Sequence, residues 1–311
     1  MFEKLVIVTR KTRLQGLIER FNTRAQAKFY LEHAGLDFAD YEKEDDTYRR
    51  AVDHLQGALA VGLKVQVLER ALVPTYLFAA TDVVVAVGQD GLVANTAKYV
   101  GAQPLLGVNP DPSRFDGQLL PFQVGEARAA LLATVAGRAK VREVTLAEAR
   151  LSDGQRLLAF NELFLGAQTH VSAQYRLRVA QAKKKTGGGW ERQSSSGVIV
   201  STGAGSTGWL SSVCNMTSGV ARALGGAAIQ PVQMRWEDER LFFVVREPFV
   251  SRHSTAGQTA GWLAGAALEL ESLMPSGGVV FSDGIEQDFL NFNSGVVATV
   301  GPAAQKARLV V

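Results

Sequence analysis

Apolar residues in the first part of the chain alternate between two kinds of pattern. Leu5–Val8, Val65–Leu68, Val83–Val87 and Pro104–Val108 are short apolar runs, the signature of strands buried on both faces of a parallel sheet. Between them Leu14–Phe21 and Arg24–His33 show helical spacing, the second with Thr23 and Gln26 placed for a capping box and Gly35 as its stop. Val52, Leu55 and Leu59 share one face of a further amphipathic helix over Tyr48–Leu59. This alternation predicts an α/β domain with a Rossmann-like parallel sheet over residues 1–125.

From about Val141 the texture changes. Glu143–Leu151 and Gln155–Leu165 flank Asp153-Gly154, a hairpin turn signal. Tyr175–Val179, Val198–Ser201, Leu241–Val245, Leu268–Leu273, Val279–Phe281 and Val296–Val300 read as short strands with few helical stretches between them. A β-rich domain over 126–295 is expected, with 296–311 as a C-terminal tail packing back on the first domain. Gly187-Gly188-Gly189 and Ser194-Ser195-Ser196 read as hairpin tips or loops.

A chain of 311 residues accommodates two domains, and 47% hydrophobic with 20% charged residues is ordinary for a soluble globular protein. No apolar run approaches the ~20 residues that span a bilayer, and the stretch MFEKLVIVTRK is interrupted too soon for a signal peptide. The single cysteine, Cys214, excludes an internal disulfide framework and suits a reducing compartment, so a cytoplasmic location is expected. A nucleic-acid interface would want aromatics interleaved with the basic residues and a larger excess of charge than +3, which favours solvated surface. The basic residues of the first helices and the run Asp40, Glu42, Glu44, Asp45, Asp46 read as solvated surface. Arg10 and Lys11 are the exception. They follow the strand Leu5–Val8 directly, at the edge where an open α/β sheet binds its ligand. The four histidines have no metal spacing with one another or with Cys214, which argues against a zinc site, and no G-x-S-x-G elbow appears.

Chemistry concentrates in a few segments. In Thr81–Asp111 the valine run ends at Gly88-Gln89-Asp90-Gly91, a helix-compatible stretch follows, and Pro104–Val108 ends in Asn109. Glycines between a strand end and a helix start let backbone N–H groups approach a ligand, and the helix N-terminus favours an anion. A carboxylate among them caps the helix, holds a metal or acts as a base, and the local pattern leaves these open. Gly203-Ala204-Gly205-Ser206-Thr207-Gly208 matches GxGxxG after the strand Val198–Ser201. A dinucleotide fingerprint needs an acid about 20 positions on. The next acid is Glu237 and the segment lies in the β-rich half, so that assignment fails. Hydroxyls among the glycines suggest anion or nucleotide contact, with a tight turn as the alternative. Asn161 and Glu162 are neighbours on a strand, so they face opposite sides unless a bulge intervenes. Ser282-Asp283-Gly284, after Val279–Phe281, is explained by a plain β-turn.

Gly88-Gln89-Asp90-Gly91-Leu92 with Leu106-Gly107-Val108-Asn109 resembles the signature of the NAD kinase family and its lipid-kinase relatives. There a Gly-Gly-Asp-Gly-Thr loop follows one strand and Leu-Gly-Val-Asn lies on the next; here Gln89 and Leu92 replace the second glycine and the threonine. Ser196–Trp209 resembles the second family motif, Asp-Gly-Leu-Ile-Val-Ser-Thr-Pro-Thr-Gly-Ser-Thr-Ala-Tyr, coinciding at Gly197, Ser201, Thr202, Gly205, Ser206 and Thr207. Ser196 stands for its Asp, and Asn161-Glu162 matches the family's Asn-Glu pair. Ser282-Asp283-Gly284 resembles a late Asp-Gly of the same fold, and Arg246-Glu247-Pro248-Phe249 stands where the family carries a His- and Arg-containing loop.

The resemblance implies an NAD kinase-like fold and transfer of the ATP γ-phosphate to a hydroxyl of NAD or a related nucleotide, forming NADP. It implies Asp90 as catalytic base and Gly88 and Gly91 beside the donor phosphates, with ATP and Mg²⁺ as the donor pair. It also implies that Asn161, Glu162, Thr207, Gly208, Trp209 and Ser212 hold the acceptor. Arg10 and Lys11 would add positive charge for the phosphates. No nucleic-acid or membrane partner is expected, and a homo-oligomer is. The alternatives are a kinase for a sugar or lipid acceptor, and a non-catalytic dinucleotide-binding protein.

Overall fold

A computed structural model describes residues 2–181 and 189–311, in two compact units: Met1–Arg142 with Arg308–Val311, and Glu143–Ala307. The run Lys183-Lys184-Lys185 and the glycines 187 and 188 lie outside the described residues.

In the first unit β1 (Lys4–Thr9), β2 (Lys64–Glu69), β3 (Asp82–Val87) and β4 (Pro104–Asn109) form a parallel sheet in the order β2-β1-β3-β4. Every residue of β3 and β4 is buried, as continuous β-branched runs require when both faces are covered. The short β5 (Phe122–Gln123) pairs with the end of β4. The helices are α1 (Arg13–Phe21), α2 (Arg24–His33), α3 (Phe38–Ala58), α4 (Asp90–Ala97) and α5 (Ala127–Val135). Thr12 and Thr23 cap α1 and α2, each accepting a backbone N–H three residues on. Leu55 and Leu59 beside α3 and Leu131 of α5 pack on Leu5, Ile7, Val83, Val85 and Val108.

Helix α3 begins at Phe38, well before Tyr48, because Asp37 caps it and Phe38 packs on Leu14 and Leu31. Asp46 is exposed, as the local sequence suggests, but two of the other acids are not on the solvated face. Glu44 and Asp45 are buried, Glu44 pairing with Arg10 and Arg13, and Asp45 accepting the Thr12 hydroxyl at 2.5 Å. Asp40 pairs with Arg114 at 2.6 Å and Arg13 at 2.8 Å, and the Arg114 hydrogen bond foremost holds its carboxyl well below the usual range.

The second unit starts after Arg142 rather than at 126, because α5 buries Ala127 and Leu131 in the core of the first sheet. Its strands are β6 (Val141–Leu151), β7 (Arg156–Ala159), β8 (Glu162–Ala167), β9 (Ala173–Gln181), β10 (Glu191–Ser195), β11 (Val198–Ser201), β12 (Leu241–Val245), β13 (Ala260–Leu263), β14 (Ala266–Ser272), β15 (Gly278–Ser282), β16 (Ile285–Asn291) and β17 (Val297–Val310). The strands β6 and β7 form the expected hairpin. One antiparallel ladder runs β10-β9-β14-β17 and another β13-β12-β11-β8-β15-β16. Leu163, Leu165, Val198, Val200 and Phe243 of the second ladder share one core with Tyr175, Leu177, Leu268 and Leu270 of the first. The other face of the second ladder, with Phe164, Ile199 and Val279, receives Trp209 and Val213 of α6 (Trp209–Ala223). Residues 296–311 are mostly the strand β17. Its Ala298 and Val300 lie in this second core, and Arg308 and Leu309 pair with Pro104 and Leu105 in the first unit.

A Cβ on Gly107 of β4 would stand 1.9 Å from the carbonyl oxygen of Leu119, whereas one on the exposed Gly57 of α3 meets nothing within 4 Å. Gly107→Ala should therefore cost about 1–3 kcal/mol, and Gly57→Ala should gain about 0.5–1 kcal/mol from helix propensity. Urea midpoints check both, and a neutral Gly107→Ala would show that the 117–120 loop is not docked on β4.

Candidate functional site

The first cluster is built at the end of β3. Gly88 is buried, and a Cβ there would lie 2.9 Å from the Leu92 side chain and 3.6 Å from Cδ of Arg10. Leu92 is 1% exposed and turned into the protein, so the position that carries a hydroxyl in the signature loop here supplies core packing. Gly91 is exposed with nothing within 4 Å of its Cβ position. Gln89, not Asp90, is the N-cap of α4, and it makes no side-chain capping bond.

Asp90 is the first residue of the helix, where the macrodipole favours a negative charge. Its Oδ1 accepts the N–H of Leu119 at 2.7 Å. That N–H is delivered by the intact Leu106-Gly107-Val108-Asn109 segment. Gly107 lets the loop lie on β4, as its missing Cβ shows. Asn109 donates from Nδ2 to the Phe115 carbonyl at 2.9 Å and accepts the Asp111 N–H at 3.0 Å. Gly117 adopts φ +69° against Asn109, where a Cβ would come within 2.8 Å of the Asn109 amide nitrogen. The motif thus anchors the loop that aims Asp90.

Arg10 and Lys11 go separate ways. The Arg10 guanidinium is nearly buried, pairs with Glu44 at 3.1 Å and lies over the rings of Tyr48 and Phe115 at 5.1 and 5.7 Å. Its Nε is buried with no hydrogen-bond partner among the described residues. The Lys11 ammonium is held by Glu19 at 2.9 Å and Glu69 at 3.8 Å.

The second cluster lies in the second unit, at a break between β7 and β8. Phe160 and Asn161 belong to neither strand. The alternation of facing sides is therefore interrupted where the two polar neighbours need it to be. The Thr202 hydroxyl donates to the carbonyls of Phe160 (2.6 Å) and Asn161 (3.0 Å), and the Thr202 N–H donates to Asn161 O at 2.9 Å. A Cβ on Gly205 would stand 2.1 Å from Asn161 O, and one on Gly203 1.9 Å from Arg235 O. Gly203 and Gly205 thus serve the close approach of two backbones. The Ser206 hydroxyl is spent on Gly203 O at 2.8 Å. Thr207 and Gly208 are exposed where α6 begins, and Ser212 is exposed one turn on, its N–H bonded to Gly208 O.

The Asn161 amide is half-exposed and takes no hydrogen bond among the described residues. Glu162 is 9% exposed, and its Oε2 lies 3.8 Å from the Cβ position of Gly208. Burial, and then the neighbouring Asp283 carboxylate, push its carboxyl up to about 8. The Asp283 carboxylate accepts the N–H groups of Phe160, Asn161 and Glu162 at 3.0, 2.6 and 3.3 Å. The turn reading of Ser282-Asp283-Gly284 holds for its backbone but overlooks this.

On the same face as Glu162 the Phe164 ring occupies space that only Gly166 and Gly197 leave open, since a Cβ on either would come within 2.6 Å of it. Trp209 and Phe281 each stack on Phe164, with ring centres 5.7 and 4.8 Å from it, and the Arg246 guanidinium lies 5.3 Å from the Trp209 ring centre. These side chains, with Ser196, His170 and Glu286, line a cavity of about 450 Å³. Sequence reasoning singled out Trp209 here and missed Phe164 and Phe281. The Gly166–Gly197 pair was the available signal. Among the described residues no group of three or more His, Cys, Asp or Glu could hold a metal ion.

No family model matches the chain. NAD kinase 2, mitochondrial, of Rattus norvegicus is 22% identical over 320 residues, covering 80% of this chain and 74% of its own length. Yeast NADH kinase complexed with NADH superposes with a TM-score of 0.56 at 16% identity, covering 100% of this chain and 84% of that one. The NAD kinase from Archaeoglobus fulgidus in complex with ATP gives 0.53 at 18% identity, covering 99% and 93%. The chain therefore has the fold of these NAD kinase structures.

Proposed function

We propose that the protein is a kinase transferring the γ-phosphate of ATP to a hydroxyl of NAD, forming NADP. The observation that carries this reading is the state of Asp90. Its carboxylate is fixed through Oδ1 by Leu119 and does not serve as the helix cap, so Oδ2 is available to accept the proton of an attacking hydroxyl. Phosphoryl transfer asks the protein mainly for positioning and charge neutralisation. Asn161, Glu162, Thr207, Gly208, Trp209 and Ser212 hold the acceptor. The unengaged Asn161 amide and the Glu162 carboxyl, protonated near neutral pH, offer donors and acceptors to ribose hydroxyls. The open backbone at Gly91 and the glycine at Gly88 face the donor phosphates. Arg10 is better placed than Lys11 to add charge there, because its side chain already lies against Gly88.

Mg²⁺ would arrive with ATP and neutralise its phosphates, leaving Asp90 to act as the base. The lone Cys214 suits action in a reducing compartment, the cytoplasm. Incubation with ATP, Mg²⁺ and NAD, followed by an NADP-specific dehydrogenase assay, tests the activity. NAD binding without turnover would return the chain to a non-catalytic dinucleotide-binding role.

Asp90→Asn keeps an oxygen for the Leu119 N–H but removes the base. Turnover should fall on the order of 10²-fold or more with the KM for NAD little changed. Steady-state kinetics decide this, and full activity in D90N sinks the assignment.

Glu162 supplies a second expectation. Its folded-state value of about 8 lies above the ordinary 4.5, so between those limits the folded chain retains a proton that the unfolded chain releases. The associated stability is complete below about pH 4.5 and is lost as pH rises through about 8. Glutamine has no such dependence. Glu162→Gln should therefore gain on wild type by on the order of a few kcal/mol between pH 5 and pH 8.5, read from urea midpoints. A constant difference would mean that this carboxyl titrates normally.

A further inference from the structure

We propose that Asp283 is a positioning residue for the acceptor site: its carboxylate, by gathering the backbone N–H groups of Phe160, Asn161 and Glu162, sets the strand break that presents the Asn161–Glu162 pair. The proposal rests on the kinase reading for what the pair holds, and on geometry for how it is held.

The two carboxylate oxygens divide the work. Oδ2 takes the Phe160 N–H at 3.0 Å, while Oδ1 takes those of Asn161 at 2.6 Å and Glu162 at 3.3 Å. The contact is reciprocal, for the Asp283 N–H donates to the Glu162 carbonyl at 3.0 Å. On the opposite edge the Asn161 carbonyl is held by Thr202 and walled in by Gly205. The peptide of Asn161 is thus fixed from both sides by residues far away in sequence, with Asp283 supplying the N–H side. The backbone suits the part: Asp283 sits at φ 54° and Gly284 at φ 69°, a left-handed pair that Asp and Gly tolerate.

A turn alone does not call for a carboxylate here, because Asn occupies a left-handed corner as readily as Asp. A charged acceptor does serve convergent N–H groups leaving a ladder, for which charge-assisted hydrogen bonds are shorter and stronger than neutral ones. It also stands next to Glu162, a second acid that a purely structural turn would have reason to avoid. Placing that charge beside the acceptor pair makes sense when the geometry of the pair matters more than local electrostatic comfort.

Asp283→Asn keeps the left-handed corner but offers one acceptor oxygen, and Asp283→Ala offers none. Steady-state kinetics with ATP, Mg²⁺ and NAD should show the KM for NAD rising about 10-fold or more in D283A and less in D283N, with the KM for ATP unchanged in both. Hydrogen exchange read by mass spectrometry should show faster exchange in the peptide containing residues 160–162, with the β9 and β14 peptides unaffected. A purely structural role would lower the melting temperature and leave the ratio of the two KM values as in wild type, and that result overturns the proposal. Unchanged exchange at 160–162 overturns it as well. Should wild type form no NADP, the kinase reading fails by itself. The NAD Kd of wild type and both variants, by calorimetry, then decides: an ordering wild type, D283N, D283A from tight to weak supports the proposal, and equal values overturn it.

Discussion

Backbone N–H groups that leave a β-ladder or a loop must find an acceptor if they are buried, and an unmade hydrogen bond costs more than a made one contributes. Both clusters of this protein are organised around that constraint, and in both the acceptor is a carboxylate. Asp90 takes the N–H of Leu119, and Asp283 takes those of Phe160, Asn161 and Glu162. In the first case the proposed base is oriented by the backbone. In the second the backbone of the proposed acceptor pair is oriented by the acid. Either way the fixed geometry comes from contacts across long stretches of sequence, supported on strand ends rather than on free loops.

Glycine is the complement of this arrangement. At Gly107, Gly203 and Gly205 a Cβ would fall about 2 Å from a carbonyl oxygen, so any other residue there must displace a neighbouring backbone whatever its dihedral angles. A glycine-rich segment that invites a phosphate or dinucleotide interpretation is, in this protein, partly a device for letting one backbone rest on another. The exposed Gly91, with open space around it, is the glycine whose surroundings fit ligand approach.

Much of the architecture was legible in the sequence, because valine runs bounded by glycine and alternating apolar strands are local signals. Leu241–Val245 and Val83–Val87 announce themselves. The Ala-rich α5 did not, since its apolar face is weak, and so the domain boundary was read too early. Polar strands such as β10 were missed for a similar reason: Glu191 and Ser195 are explained by partners across the sheet and in neighbouring loops. Glu44 and Asp45 looked like surface because their partners, Arg10 and Thr12, lie far back in the chain. Asp90 could be found from its flanking glycines, but what it bonds to could not.

The burial of Leu92 has a consequence for how this loop changes over time. At 1% exposure, with its side chain filling the space that a Cβ on Gly88 would enter, it is at once a loop residue and a core residue. Returning a threonine to that position would remove apolar volume from a packed interior and introduce a hydroxyl that needs a partner there. Loop chemistry and core packing are therefore inherited together. A substitution at this position therefore acts on the packed interior as well as on the loop.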